Sequence, residues 1–263
     1  MTPRIRLTIL SFLEFFIWGS WLITVGAYWF QNRQWSGAEF GAIFSTMGLS
    51  AIFMPALAGI VADRYLNAER LLGLCHLVGA IVLFYLPQVN DPGQFYWVLL
   101  LYMLFYMPTI SLANTVSYTV IVGAGKDIVK EFPPIRVWGT VGFIVAMWVV
   151  SLLRWETSAL QFYVAGSASL ILGVYVGFTT VINDPHGSIA VLFSHIPFTS
   201  PIVMLMRVPF GVSWYEIAIS MASLLITFVC MVWLAAKIYR VGILMYGKKP
   251  TYKDLYRWLK YKS

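Results

Sequence analysis

The sequence predicts an all-α integral membrane protein: a six-helix bundle, then a broken or re-entrant helix, one further transmembrane helix and an interfacial helix at the C-terminus. Of its 263 residues 60% are hydrophobic and 11% charged, whereas a soluble domain carries roughly 25% charged residues because water surrounds it. Apolar runs long enough to cross the ~30 Å hydrocarbon layer at 1.5 Å per residue recur along the chain, separated by short charged or Pro/Gly-containing turns. Such unbroken runs exclude the ~10-residue alternating strands of a membrane barrel.

Taken in order, spans are expected at about 5–30, 37–62, 71–87, 95–122, 132–153, 158–181 and 212–239. The first is too long for the apolar core of a signal peptide and lacks a small-residue cleavage site, so it stays as a span. The run SIAVLFSHIPFTSPIVMLM, 188–206, carries His195, Pro197 and Pro201 and reads as the broken helix. A break of that kind is tolerated where the freed backbone groups face protein or a wet cavity. The tail YGKKPTYKDLYRWLKYKS places Tyr252, Leu255, Tyr256 and Leu259 on one helical face and Lys253, Arg257 and Lys260 on another, the pattern of a helix lying in the interface.

Charge placement sets orientation and narrows the partners. Lys237 to Ser263 hold eight Lys or Arg and one Asp, the whole of the +7 excess. A basic patch at the end of an apolar run anchors on anionic lipid; nucleic acid is not an expected partner. Arg4 and Arg6 place the N-terminus in the cytoplasm, on the side of the loops holding Arg64, Arg70, Lys126 and Lys130. Six spans fit this inside-to-inside plan. A single seventh would leave the most basic segment outside, so either 188–206 crosses too or the two parts of the chain follow different plans.

Ionisable groups inside spans are the informative ones, each costing about 2.5–3.5 kcal/mol at mid-bilayer on insertion scales. Glu14 lies in the first span with Trp18 and Trp21 on nearby turns; it either reaches the cytoplasmic headgroups or lines a central cavity and takes up protons. Arg136, in KEFPPIRVWGTVGF, follows two prolines read as the start of the fifth span. With Thr140 and Phe143 at i+4 and i+7 it offers a bidentate donor, a hydroxyl and an aromatic plane, which suits a polar, planar, ring-containing ligand; the alternative is a guanidinium snorkelling to headgroups.

Asn114, with Thr109, Ser111, Thr115 and Ser117, polarises the fourth span, either as cavity lining or as interhelical hydrogen bonding. Gly59 precedes an Asp63-Arg64 pair at a cytoplasmic span end, a helix lock or a solvated pair. His76 is read as an interhelical hydrogen-bonder, with a proton relay as the alternative, and His186 and His195 are unassigned. Cys75 and Cys230 lie in apolar runs and suggest packing thiols rather than a disulfide. No phosphate-cradling loop, metal-ligand cluster, paired carboxylates or Ser/His/Asp arrangement can be assembled, so no catalytic residue, metal, cofactor or enzyme activity is expected.

The blocks SFLEFFIWGSWL, FMPALAGIVADRYL, YMPTISLANTVSY and FPPIRVWGTVGFIVAMWVVSL, within about 6–175, resemble the N-terminal six-helix half of bacterial nucleoside:proton symporters of the major facilitator superfamily. The resemblance implies that Arg136, Thr140 and Phe143 match positions touching nucleoside, and that Gly59, Asp63 and Arg64 match the superfamily's cytoplasmic loop motif, whose later glycine is absent after Tyr65. It further implies a bacterial inner-membrane location and a second six-helix half facing the cavity. From about Thr179, INDPHGSIAVLFSHIPFTSPIVMLMRVPFG and MVWLAAKIYRVGILMYGKKPTYKDLYRWLK instead resemble the C-terminal end of ABC-2-type permease subunits of ATP-driven exporters.

The chain therefore reads as a chimera joined near 174–183, with 1–178 as the symporter-like bundle and 179–263 as the permease-like segment. The expected function is proton-coupled nucleoside uptake by alternating access, completed by a homodimer or a partner half. The alternatives are an exporter subunit working with a separate ATPase, and a membrane-embedded fragment that transports nothing.

Overall fold

The computed structural model describes the backbone of residues 2–197 and 199–243, and the side chains of these except 178–183, 189 and 238–243. Every regular element among the described residues is a helix. In chain order they are α1 (Pro3–Gly19), α2 (Val25–Ala27) running into a π-turn at Tyr28–Asn32, α3 (Gly37–Arg64), α4 (Ala68–Tyr85), α5 (Pro92–Gly123), α6 (Ile128–Leu152), α7 (Leu160–Asn183), α8 (Ser188–His195), α9 (Ser200–Arg207) and α10 (Trp214–Ile243). Six stretches are long and apolar enough to cross a membrane: Gly37–Arg64, Ala68–Gln88, Pro92–Gly123, Ile128–Leu152, Leu160–Gly177 and Trp214–Lys237. The expected interfacial tail after Ile243 lies outside the described residues.

Two boundaries differ from expectation. The first span is not one helix: α1 ends at Gly19, and the Phe16 carbonyl accepts from both the Ser20 hydroxyl at 2.7 Å and the Ser20 backbone N–H at 3.0 Å. The chain then turns through residues 20–24 before α2. Thr24 ties this joint to α7 by donating to Gln161 Oε1 at 2.8 Å. Pro133 and Pro134 do not begin α6 but lie inside it, because Asp127 caps the helix earlier, its carboxylate accepting from Val129 N at 2.9 Å. Each proline removes one i→i−4 bond, and the helix continues through both.

The chain divides into two compact units, Met1–Thr179 and Thr180–Ser263. In the first, α1 lies along α6, and α5 packs on α3 and α4. The α1/α6 contact is made by glycines: a Cβ at Gly142 would meet the backbone of Phe12, and one at Gly19 the backbone of Phe143. In lipid, where apolar surface does not drive helices together, such close backbone approach is what holds them. A core of large aromatics, Trp21, Tyr28, Trp29, Phe95, Tyr102 and Phe162, fills the first unit away from the α1 N-terminus.

In the second unit the broken helix takes the expected form. Ile196 is extended (φ −73°, ψ 122°), as a residue before proline prefers, and Pro201 opens α9. Ser223 of α10 donates to the His195 carbonyl at 2.9 Å, satisfying one backbone group that the break frees.

Candidate functional site

Two neighbouring groups in the first unit hold the residues singled out by sequence. On α6, the Arg136 guanidinium lies 3.9 Å from the centroid of the Phe15 ring on α1, a cation–π contact. Gly139, one turn on, is the reason it can lie there, since a Cβ at that position would stand 2.7 Å from both Arg136 Nη1 and Phe15. Phe143 meets Trp18 edge to face at 6.4 Å. Thr140, between them, is exposed. Two of the three residues are thus held by α1 aromatics, and the third is exposed.

The second group lies behind the first. Glu14 is wholly buried, so it does not reach the headgroups. Its Oε2 lies 2.9 Å from His76 Nε2 on α4, and its Oε1 accepts from Thr109 Oγ1 on α5 at 2.6 Å. Tyr106, also on α5, donates to the Glu14 backbone carbonyl at 2.7 Å. His76, 1% exposed, has its other ring nitrogen 3.2 Å from Ser169 Oγ on α7, and Ser169 donates to the His76 carbonyl at 2.9 Å. Four helices therefore meet at one carboxyl and one imidazole. The α1 residues beside Glu14 connect the two groups: Phe15 carries Arg136, while Trp18 touches Phe143 and, at 5.9 Å, Tyr106.

The remaining sequence candidates separate from this site. Asn114 is half-buried on α5 and makes no hydrogen bond among the described residues. Ser111, Thr115 and Ser117 bond carbonyls of their own helix at 2.9, 3.1 and 2.7 Å, so only Thr109 of that set links helices. Gly59 is half-buried, with open space where a Cβ would stand. Asp63 and Arg64 are exposed at the end of α3 and, among the described residues, form no ion pair with each other. Cys75 is buried and Cys230 exposed, both as free thiols. No group of three or more potential metal ligands occurs among the described residues.

Sequence reasoning missed the partnership of Glu14 with His76, 62 positions apart. The available signal was their complementary chemistry, one acid and one imidazole in apolar spans of the same bundle.

Comparison with known proteins identifies the family. The family profile described as Nucleoside H+ symporter matches residues 1–188. The xanthosine permease of Escherichia coli (strain K12) is 53% identical over 175 residues, covering 66% of this chain and 42% of the permease. The nucleoside permease NupG of the same organism is 50% identical over the same length, with the same coverage. This chain thus spans less than half the length of the curated relatives it matches.

Crystal structures of the nucleoside transporter NupG superpose with TM-scores of 0.66 and 0.65 at 34% identity, over 94% and 93% of this chain and 69% and 68% of theirs. Matches to nucleoside transporters therefore run past residue 179, and these comparisons give no support to the expected ABC-2-type permease segment or to a chimeric join. A Bacillus subtilis (strain 168) protein of uncharacterized function, YhaP, is 29% identical over 75 residues, 28% of this chain and 18% of that protein.

Proposed function

The chain belongs to the nucleoside H+ symporter family, and on that premise we propose that it carries the nucleoside-recognising half of a proton-coupled nucleoside transporter of the bacterial inner membrane, with its N-terminus in the cytoplasm. The observation that carries the reading is the α6 face, where Arg136 and Phe143 are braced on Phe15 and Trp18 while Thr140 stays exposed. A guanidinium held over a ring face has donors to offer a ligand, an aromatic edge nearby can flank a base, and a hydroxyl between them can meet a sugar or a ring carbonyl. Alternating access needs two bundles around a central site, so this bundle supplies one side of that site and a second six-helix bundle the other. Residues after 188 lie outside the family match and have no assigned part in recognising the solute.

The test is equilibrium binding of xanthosine and of uridine to the purified chain in lipid nanodiscs. Saturable binding is expected, and Arg136→Ala should weaken it on the order of tenfold or more, the loss of a charge-assisted hydrogen bond worth about 1.5–3 kcal/mol. Binding of both nucleosides unchanged by Arg136→Ala would overturn the assignment. Orientation is tested separately: with Cys230→Ser as background, Thr2→Cys should react with an impermeant maleimide only after the cells are opened. Labelling of intact cells would reverse the topology.

A further inference from the structure

We infer that Glu14 and His76 form an occluded site for one proton, held between Glu14 Oε2 and His76 Nε2, and that this proton is the one exchanged during transport. Hydrogen accounting leads there. Ser169 has a single hydroxyl hydrogen, and it is directed to the His76 carbonyl at 2.9 Å. At the 3.2 Å contact with His76 Nδ1 the serine oxygen must therefore accept, so Nδ1 carries a hydrogen. On the acid, Oε1 accepts from the Thr109 hydroxyl at 2.6 Å, whose one hydrogen is shared with the Tyr106 carbonyl at 2.5 Å. That leaves the 2.9 Å gap between Oε2 and Nε2, which is a hydrogen bond only if one proton lies in it.

Whether the proton is drawn on the carboxyl or on the ring, the pair is neutral as a whole. Its loss follows as pair-H ⇌ pair⁻ + H⁺, leaving a carboxylate facing an imidazole lone pair where both groups are buried. Among the described residues, facing groups are few. From α5 come the phenols of Tyr102 and Tyr106, from α4 the thiol of Cys75, from α6 the guanidinium of Arg136 and from α7 only the Ser169 hydroxyl. Arg136 is held on the next α1 residue, Phe15. No second cation bonds Glu14 among the described residues, so departure of the proton leaves a net negative charge in the bundle.

An acid and an imidazole in mid-bundle add about 2.5–3.5 kcal/mol each to insertion, a cost that hydroxyls or amides linking the same helices would avoid. The position also supplies a route for coupling. Glu14 precedes Phe15, which carries Arg136, and Trp18 one turn on touches Phe143. A shift of α1 when the pair loses its proton therefore moves both braces of the nucleoside face. The coupling role rests on the nucleoside transport proposed above; the existence of the one-proton site does not.

The test uses the full chain in nanodiscs with ¹⁵N-labelled histidine. Only three histidines are present, and His76→Gln identifies the signal by its disappearance. Over the pH range in which the chain stays folded, the His76 Nδ1 resonance should stay that of a protonated nitrogen while Nε2 changes once. Glu14→Gln should abolish that change. An Nε2 signal constant with pH in the wild-type chain overturns the site, and this wild-type result decides even if the variant does not fold.

Xanthosine affinity is then measured over the same range. One coupled proton gives up to about a tenfold change per pH unit in the wild-type chain and a flat profile in Glu14→Gln. Titration of His76 with pH-independent xanthosine binding overturns the coupling role. Absence of any nucleoside binding sinks the proposed function, while the resonance still decides the site.

Discussion

Gly142→Ala is expected to force α1 and α6 apart and to cost the fold about 3 kcal/mol, the upper end of overpacking penalties. The added methyl would stand 2.9 Å from the carbonyl carbon of Phe12 and 3.1 Å from its Cα. Both are main-chain atoms of a helix, so no side chain can rotate out of the way. The same contact sets the height at which Phe15 meets Arg136 and Trp18 meets Phe143, and separation of the helices should lower nucleoside binding together with stability. Gly59→Ala is the matched control. It lies within α3 with nothing inside 4 Å of the new methyl, and exchanging glycine for alanine in a helix should stabilise by up to about 1 kcal/mol. Thermal denaturation of the two purified variants in one detergent checks both signs; equal, small shifts would mean that α1 and α6 are not in glycine-mediated contact.

The contrast between these two glycines shows which features the sequence makes legible. Span length follows from apolar run length, because lipid thickness dictates it, and α3, α4, α5, α7 and α10 come out where the runs predict. The broken helix was legible for a local reason: Pro197 and Pro201 act on their immediate neighbours. The interruption after Gly19 was not, since residues 20–27 are as apolar as those of a helix and contain no proline. The start of α6 was misplaced because a capping aspartate outweighs two prolines.

At the site, spacing along α6 put Arg136, Thr140 and Phe143 on one side, but nothing along that helix says that α1 aromatics would hold two of them and leave the third exposed. Glu14 illustrates the larger gap. Its place in the first span left headgroup contact and cavity lining equally open, and only the packing of α4, α5 and α7 around α1 decides that it is enclosed with His76. Pairings between distant positions depend on which helix faces which, and helical periodicity gives faces without giving neighbours.

In the second unit the largest effect should come from Glu216→Ala. Arg207 is fully buried, and each donor group has one partner: Nε bonds Pro185 O at 2.5 Å, Nη1 bonds Ser194 Oγ at 2.5 Å and Nη2 bonds Glu216 Oε2 at 2.7 Å. Of these only Glu216 carries a compensating charge. Removing it leaves a guanidinium enclosed without a counter-ion, a loss of about 3–5 kcal/mol for a fully dry pair. The Glu216 side chain is 17% exposed, so the lower end applies, because water can partly take its place.

Arg207→Met should cost less even though it removes more atoms. It takes the charge away with the side chain, fills the site with apolar bulk of similar length and leaves the partly exposed Glu216 to water. Hydrogen exchange along α8 and α9 separates the outcomes. Glu216→Ala should speed exchange of their protected amides on the order of a hundredfold, matching about 3 kcal/mol, while Arg207→Met stays well below that. If the methionine variant exchanges faster than the alanine variant, the bonds to Pro185 and Ser194 outweigh the ion pair, and the second unit is held by neutral hydrogen bonding instead of charge compensation.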